Sequence, residues 1–100
     1  MLEKDIVAAI MRYLKTVADC FCWKQHGGQF GVAGLPDIIC CIGGRFVAFE
    51  VKTESGKLTK LQEVTIAKIN AAGGSAYVVR SVDEVKVIVE RLEDCGNGKQ

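Results

Sequence analysis

Two apolar β-type runs, residues 37–42 and 45–52, are separated by the pair Gly43-Gly44 alone. Such a pair predicts a tight hairpin turn, because the favoured two-residue turns need backbone conformations that glycine adopts at low cost. The hairpin constrains the fold strongly, since it also fixes which residues face each other across the two strands. Opposed residues have numbers that sum to 87, which places Asp37 opposite Glu50.

The rest of the chain alternates helix and strand signals at spacings typical of a single α/β unit. In chain order the sequence predicts a helix over 2–18, strands over 20–24, 37–42 and 45–52, a helix from 59, a strand over 75–80 and a helix from 81. Because a helix separates the last two strands, those strands are expected to be parallel, whereas the hairpin is antiparallel. The expected fold class is therefore α/β, with a mixed sheet flanked by helices in the order α-β-β-β-α-β-α.

Length and composition exclude several classes of protein. One hundred residues suffice for one domain, which we place at 1–94 with a flexible tail over 95–100. A net charge of +1 and a hydrophobic content of 49% argue against a polybasic nucleic-acid coat and against disorder. The apolar runs are too short to span a membrane, and acids near the N-terminus do not suit a secretory signal, so a cytoplasmic location is expected.

The five cysteines give an odd number, which does not favour a secreted disulfide framework. A zinc site built from Cys20, Cys22 and His26 is a minor alternative, because the chain has no C-x2-C pair and a single histidine. Reduced and mostly buried thiols are the favoured interpretation.

The predicted hairpin register brings two carboxylates together at the end of an otherwise apolar strand pair. Like charges at opposed positions destabilise a sheet by roughly 0.2–1 kcal/mol, so Asp37 and Glu50 require compensation. Lys52 provides part of it, since it follows Glu50 by two residues and therefore points to the same face. A divalent cation such as Mg²⁺, which binds one or two protein carboxylates and acts on anionic substrates, would complete the neutralisation and indicates phosphodiester hydrolysis.

These residues match a known signature. Leu35-Pro36-Asp37, followed by Glu50-Val51-Lys52 thirteen residues after the aspartate, resembles the PD-(D/E)XK nuclease motif, and the element order resembles the restriction-endonuclease-like core. More narrowly, the chain resembles the virus-type replication-repair nuclease (VRR-NUC) family over about residues 3 to 90. The segments that carry this resemblance are Gly34 to Asp37, the EVK run, Leu58-Thr59 with Gln62, and Ala71 to Gly74.

The resemblance implies a metal-dependent DNA endonuclease of phage or repair pathways, with Mg²⁺ or Mn²⁺ and no organic cofactor. It assigns Asp37 and Glu50 as metal ligands, the Val51 carbonyl as a further ligand and Lys52 as the catalytic lysine. By similarity to junction resolvases, the resemblance also offers Glu3 near the metal-bound water, and Gln62 as a residue that lines the site.

Glu3 and Gln62 also have simpler interpretations. Glu3 could serve only to complement the positive end of the first helix dipole, although it lies on the apolar stripe of that helix. Gln62 could be no more than the capping-box partner of Thr59.

Candidate contacts with nucleic acid lie around this site. Lys24, Lys57 and Lys60 are the expected phosphate contacts. Trp23 and Phe30 could stack on bases, but core packing is favoured for a lone tryptophan.

Apolar residues in excess of what one small core can bury also predict a homodimer. The candidate contact surface comprises Phe30, Val32, Leu35 and one side of the first helix. Two alternatives remain open, namely a non-catalytic nucleic-acid-binding module of the same fold and a nuclease directed at RNA.

Overall fold

The computed structural model describes residues 1–26 and 32–97, without the side chains of 95–97. These residues form three helices and four strands in the expected order. The elements are α1 (Glu3–Leu14), β1 (Cys20–Lys24), β2 (Ile38–Ile42), β3 (Arg45–Val51), α2 (Lys60–Ala71), β4 (Ser75–Val79) and α3 (Val82–Asn97). The predicted α/β class and element order are confirmed.

The four strands form one mixed sheet in the order β1-β2-β3-β4. Pairing is antiparallel between β1 and β2 and between β2 and β3, and it is parallel between β3 and β4. The β2–β3 register pairs Ile38 with Phe49 and Ile42 with Arg45, as the hairpin arithmetic requires. Gly43 and Gly44 both have positive φ, 56° and 82°, which explains why this turn needs glycine.

The two faces of the sheet are covered unequally. The face toward α1 and α3 carries the main core, which includes Ile10, Leu14, Phe49, Val85 and Val89, all with no measurable exposure. The opposite face is covered by α2, whose Ile66 and Ile69 pack on a small cluster of Ile39, Ala48 and Ala76. Because alternate residues of a strand face opposite sides, Glu50 lies on the α2 side with Ala48.

Both terminal helices differ in length from the sequence prediction. The first helix stops at Leu14 rather than near residue 18, because Thr16 and Val17 form i to i+3 bonds to Tyr13 and Leu14 and the chain then reverses at Asp19, whose φ is 55°. The third helix continues to Asn97, beyond the point near residue 94 where the polar C-terminal sequence suggests an end.

The cysteines are less buried than expected. Among the four cysteines whose side chains the structure describes, Cys40 is buried, Cys20 and Cys22 are half-buried and Cys41 is exposed, and all four are free thiols. Burial raises the pKa of the Cys20 thiol to about 11, so this group stays protonated at neutral pH.

None of the described helices combines the length and apolar character needed to cross a membrane.

Candidate active site

Asp37 stands at the start of β2, immediately after the buried Pro36. The side chain of Asp37 continues the β2–β3 ladder, since its Oδ2 accepts a hydrogen bond of 2.8 Å from the backbone N–H of Val51. The backbone carbonyl of Asp37 accepts from the N–H of Gln25 on the other side, at 2.7 Å. The carboxylate is thus fixed between the ends of two strands, with one oxygen held and the other directed away from this bond.

Glu50 is the central acid of the site and is 3% exposed. The pKa of Glu50 is raised from 4.5 to about 7, chiefly by burial and in part by the charge of Asp37, while the charge of Lys52 lowers it. The predicted opposition of Asp37 and Glu50 follows from the observed register, in which the neighbouring pair is Ile38 and Phe49. The like charges therefore meet in a poorly hydrated place where one cation compensates them in part.

Lys52 supplies that cation. Its Nζ lies 3.6 Å from Oε2 of Glu50, and the whole residue is 8% exposed. The backbone N–H of Lys52 donates to the carbonyl of Val79 at 3.0 Å, which prolongs the parallel ladder by one bond past the end of β3. Sequence spacing correctly placed Lys52 on the face of Glu50.

Gln62 has two structural functions at once. Its Oε1 accepts from the Thr59 N–H at 2.9 Å while Thr59 Oγ1 accepts from the Gln62 N–H at 3.2 Å, which is the predicted capping box. The Nε2 of the same side chain donates to Oε2 of Glu50 at 3.1 Å. The simple capping interpretation is therefore incomplete, because the cap also holds the amide against the buried carboxyl.

The donor set fits a hard divalent cation. Asp37 and Glu50 offer carboxylate oxygens, which Mg²⁺ and Mn²⁺ prefer. A strand residue presents its N–H and C=O to the same neighbouring strand, so the Val51 carbonyl is directed to the side where its N–H meets Asp37. Within the part of the chain that the structure describes, no three His, Cys, Asp or Glu side chains gather around one point.

Other candidate residues lie apart from this centre. Glu3 is exposed on the first turn of α1, and its carboxylate makes no hydrogen bond or ion pair with any described residue. Lys24, Lys57 and Lys60 are also exposed, and Lys60 lies 3.9 Å from Glu63. The structure therefore joins Asp37, Glu50, Lys52 and Gln62, but it does not bring Glu3 into contact with them.

Of the two aromatic residues considered for stacking on bases, the structure describes only Trp23. Trp23 is 44% exposed, so the expectation that it packs in the core is wrong, and its Nε1 donates to Oε1 of Gln25 at 3.3 Å. Trp23 is exposed because β1 is an edge strand of the sheet and α2 packs only on residues of β2, β3 and β4. Phe30 lies outside the described residues.

Arg80, which follows β4 directly, was not among the predicted site residues. Val51 pairs with Val79 in the parallel register, so Arg80 is level with Lys52 on the neighbouring strand. The sequence could have indicated Arg80 only through this register, which cannot be derived until the parallel pairing of β3 and β4 is known.

Comparison with known proteins supports the architecture. No protein-family model matches the sequence, and no curated protein is similar to it. The solved structures that are similar in fold include the following two. A "VRR_NUC domain" has a TM-score of 0.73 and 21% identity, over 88% of this chain and 94% of the other. A "VRR_NUC domain protein" has a TM-score of 0.75 and 22% identity, over 90% and 86%. The arrangement of the three helices around the four-stranded sheet is thus a fold already seen in these proteins: the chain has the fold of a VRR-NUC domain.

Proposed function

We propose that this protein is a metal-dependent DNA endonuclease that hydrolyses phosphodiester bonds. The observation that carries the proposal is the convergence of Asp37, Glu50 and Lys52 at one end of the β2–β3 hairpin, on a fold shared with VRR-NUC domains. Two adjacent carboxylates with a lysine are of little use to a protein that only binds a polyanion, since the acids repel phosphate. They are suited to hold a cation against a phosphate.

Each residue has a distinct part in this proposal. Asp37 and Glu50, with the Val51 carbonyl, would hold Mg²⁺ or Mn²⁺, which when bound polarises the phosphoryl oxygen and acidifies a water molecule. Lys52, kept within 3.6 Å of Glu50, orients the attacking water or neutralises charge that develops on the phosphate. Gln62 fixes the rotamer of Glu50 through its amide.

DNA, processed in phage or repair pathways, is the proposed substrate, with a preference for branched or junction forms. Exposed Lys24, Lys57 and Lys60 supply positive charge for contacts with the phosphate backbone, although the chain as a whole carries a net charge of only +1. We further propose a cytoplasmic location and a homodimer, whose two active sites would act on two strands. Glu3 is retained as a proposed catalytic residue that would approach the site only in the complex with metal and DNA.

The test is a cleavage assay of the purified protein with Mg²⁺ or Mn²⁺ on single-stranded, duplex, flap and four-way-junction DNA. Wild type should cleave, and Asp37→Asn, Glu50→Gln and Lys52→Ala should each reduce the rate at least about a hundredfold, because each removes a group that acts on the reacting phosphate. Glu54→Gln, which changes an exposed acid nearby, is the matched control and should retain activity. Undiminished cleavage in EDTA, or in two of the three site variants, would reject the mechanism.

Two other outcomes distinguish the alternatives. Tight DNA binding without cleavage under any metal condition would favour a non-catalytic binding module of this fold. Preferential cleavage of RNA strands of the same sequence and shape would identify an RNA-directed nuclease.

A further inference from the structure

Arg80 holds the turn that follows the candidate catalytic lysine. Its Nη1 donates to the backbone carbonyls of Thr53, at 2.5 Å, and Gly56, at 2.8 Å, with a longer bond of 3.3 Å to Glu54. A guanidinium is always charged, and hydrogen bonds from a charged donor are stronger than neutral ones. One side chain directly after β4 therefore holds a whole turn that lies 24 to 27 residues away along the chain.

This turn links two parts of the candidate site. Lys52 immediately precedes the turn. The N-terminal cap of α2 at Thr59 follows it closely, and this cap includes Gln62, which contacts Glu50. Inside the turn, the Gly56 N–H donates to the Thr53 carbonyl at 3.1 Å, so this one short bond is the local contribution to its shape. Most of the bonds that hold the turn to the body of the protein thus come from Arg80.

Arg80 is itself anchored at its own backbone. Its N–H donates to a carboxylate oxygen of Glu84 in the first turn of α3, and the preceding residue, Val79, accepts the Lys52 N–H at 3.0 Å. The arginine thereby connects the end of β4, the start of α3 and the turn after Lys52. It also lines a cavity of about 340 Å³ together with Thr53, Glu54 and the start of α1, so the turn is not supported by close packing on that side.

We propose that Arg80 is a positioning residue that sets the place of Lys52 by holding the turn at residues 53–56. The proposal rests on the proposed nuclease function for its catalytic consequence, but not for its structural one. Without Arg80, the carbonyls of Glu54 and Gly56 lose this donor, that of Thr53 keeps only the Gly56 N–H, and the turn can move toward the cavity. A displacement of about 1 Å in a catalytic group can cost as much as a hundredfold in rate.

The experiment combines hydrogen exchange with single-turnover cleavage, using the full chain. In Arg80→Ala, exchange over residues 52–56, read at the hydrogen-bonded amides of Lys52 and Gly56, should rise about tenfold or more, while exchange in β2 stays as in wild type. The cleavage rate at saturating DNA should fall by about tenfold to a hundredfold with little change in the DNA concentration for half-maximal rate. Arg80→Lys, which retains a charged group with three donors, should restore much of both properties. Arg91→Ala, at an exposed position of α3, is the matched control.

Contrary results would be equally clear. If Arg80→Ala instead weakens DNA binding, lowers its salt dependence by about one ion and leaves the saturated rate intact, Arg80 is a phosphate contact and the proposal is wrong. Unchanged exchange over 52–56 would also overturn it.

If the wild type proves inactive while exchange over 52–56 still rises in Arg80→Ala and is restored in Arg80→Lys, the nuclease function fails but the positioning by Arg80 stands. Should Arg80→Ala not fold, Arg80→Lys and Arg80→Gln replace it in the same two measurements. The proposal then holds if Arg80→Lys matches wild type and Arg80→Gln shows the rise in exchange. It fails if Arg80→Gln also matches wild type.

Discussion

The environment of Glu50 in the folded protein favours the protonated form of its carboxyl group. Burial, together with the charge of Asp37, raises the pKa of Glu50 from 4.5 to about 7. Lys52 at 3.6 Å and the Gln62 amide at 3.1 Å favour the charged form, yet they do not outweigh the burial. A carboxyl group with a strongly shifted pKa is a candidate functional group, because such shifts are concentrated at catalytic and binding sites.

The raised pKa of Glu50 predicts how the stability of the metal-free protein depends on pH. The folded chain binds this proton more tightly than the unfolded chain, so the contribution is fully present below pH 4.5 and is lost as pH rises to about 7. Over that window the free energy of unfolding should fall by up to roughly 3 kcal/mol more in wild type than in Glu50→Gln. Urea denaturation in EDTA at several pH values measures the difference. Parallel stability profiles for the two proteins would show that Glu50 is not perturbed as described.

A divalent cation should reverse the penalty at Glu50. An ion that binds the folded site alone stabilises the protein by about 2.7 kcal/mol at a concentration one hundred times its Kd. We therefore expect Mg²⁺ or Mn²⁺ to raise the Tm of wild type above pH 7 and to raise that of Glu50→Gln much less. Glu54→Gln should keep the full increase. An equal increase in wild type and Glu50→Gln would place the ion elsewhere.

At the scale of elements, the sequence determined most where the local signals are strong. The glycine pair between two β runs was sufficient for the hairpin, its register and the opposition of Asp37 to Glu50. Val17 misled the prediction of α1, because it continues the helical stripe and packs against the main core, although local i to i+3 bonds have already ended the α-helix at Leu14. The bonds from Asp37 to Val51 and from Gln62 to Glu50 were not predictable, since both depend on side-chain positions across separate elements.

The N-terminus of α2 gives a prediction that separates capping from site chemistry. Thr59→Ala removes the hydroxyl that accepts the Gln62 N–H, and it should cost about 1 kcal/mol at any pH. Gln62→Glu keeps an oxygen for the Thr59 N–H but replaces the amide beside Glu50 by a second acid. Its loss of stability in EDTA should therefore be clearly larger at pH 8 than at pH 5, whereas that of Thr59→Ala should not change. An equal loss for Gln62→Glu at both pH values would show that Gln62 acts only as a cap.

At the scale of the whole molecule, the uneven covering of the sheet leaves apolar surface exposed. Phe21, Trp23 and Phe46 are 71%, 44% and 47% exposed, and the register places all three on the α2 side, beyond the part that α2 covers. Of the surface expected from the sequence, Val32 is 69% exposed and Leu35 is half-buried. Apolar patches of this kind often mark interaction surfaces, so the proposed homodimer has two candidate contacts.

Light scattering on a size-exclusion column at micromolar concentration tests the dimer and identifies its surface. The chain has a mass of 10.8 kDa, so wild type should elute with a mass of about 22 kDa. Phe21→Glu should reduce the mass to that of a monomer if the sheet face is the contact, because a charge buried in an apolar interface lacks a partner. Val32→Glu should do so if the contact is instead the surface around Val32 and Leu35. Both substitutions change exposed side chains, so neither should unfold the protein. A wild-type monomer that still cuts both strands of a four-way junction would contradict the dimer, since one copy would then supply both cuts in succession.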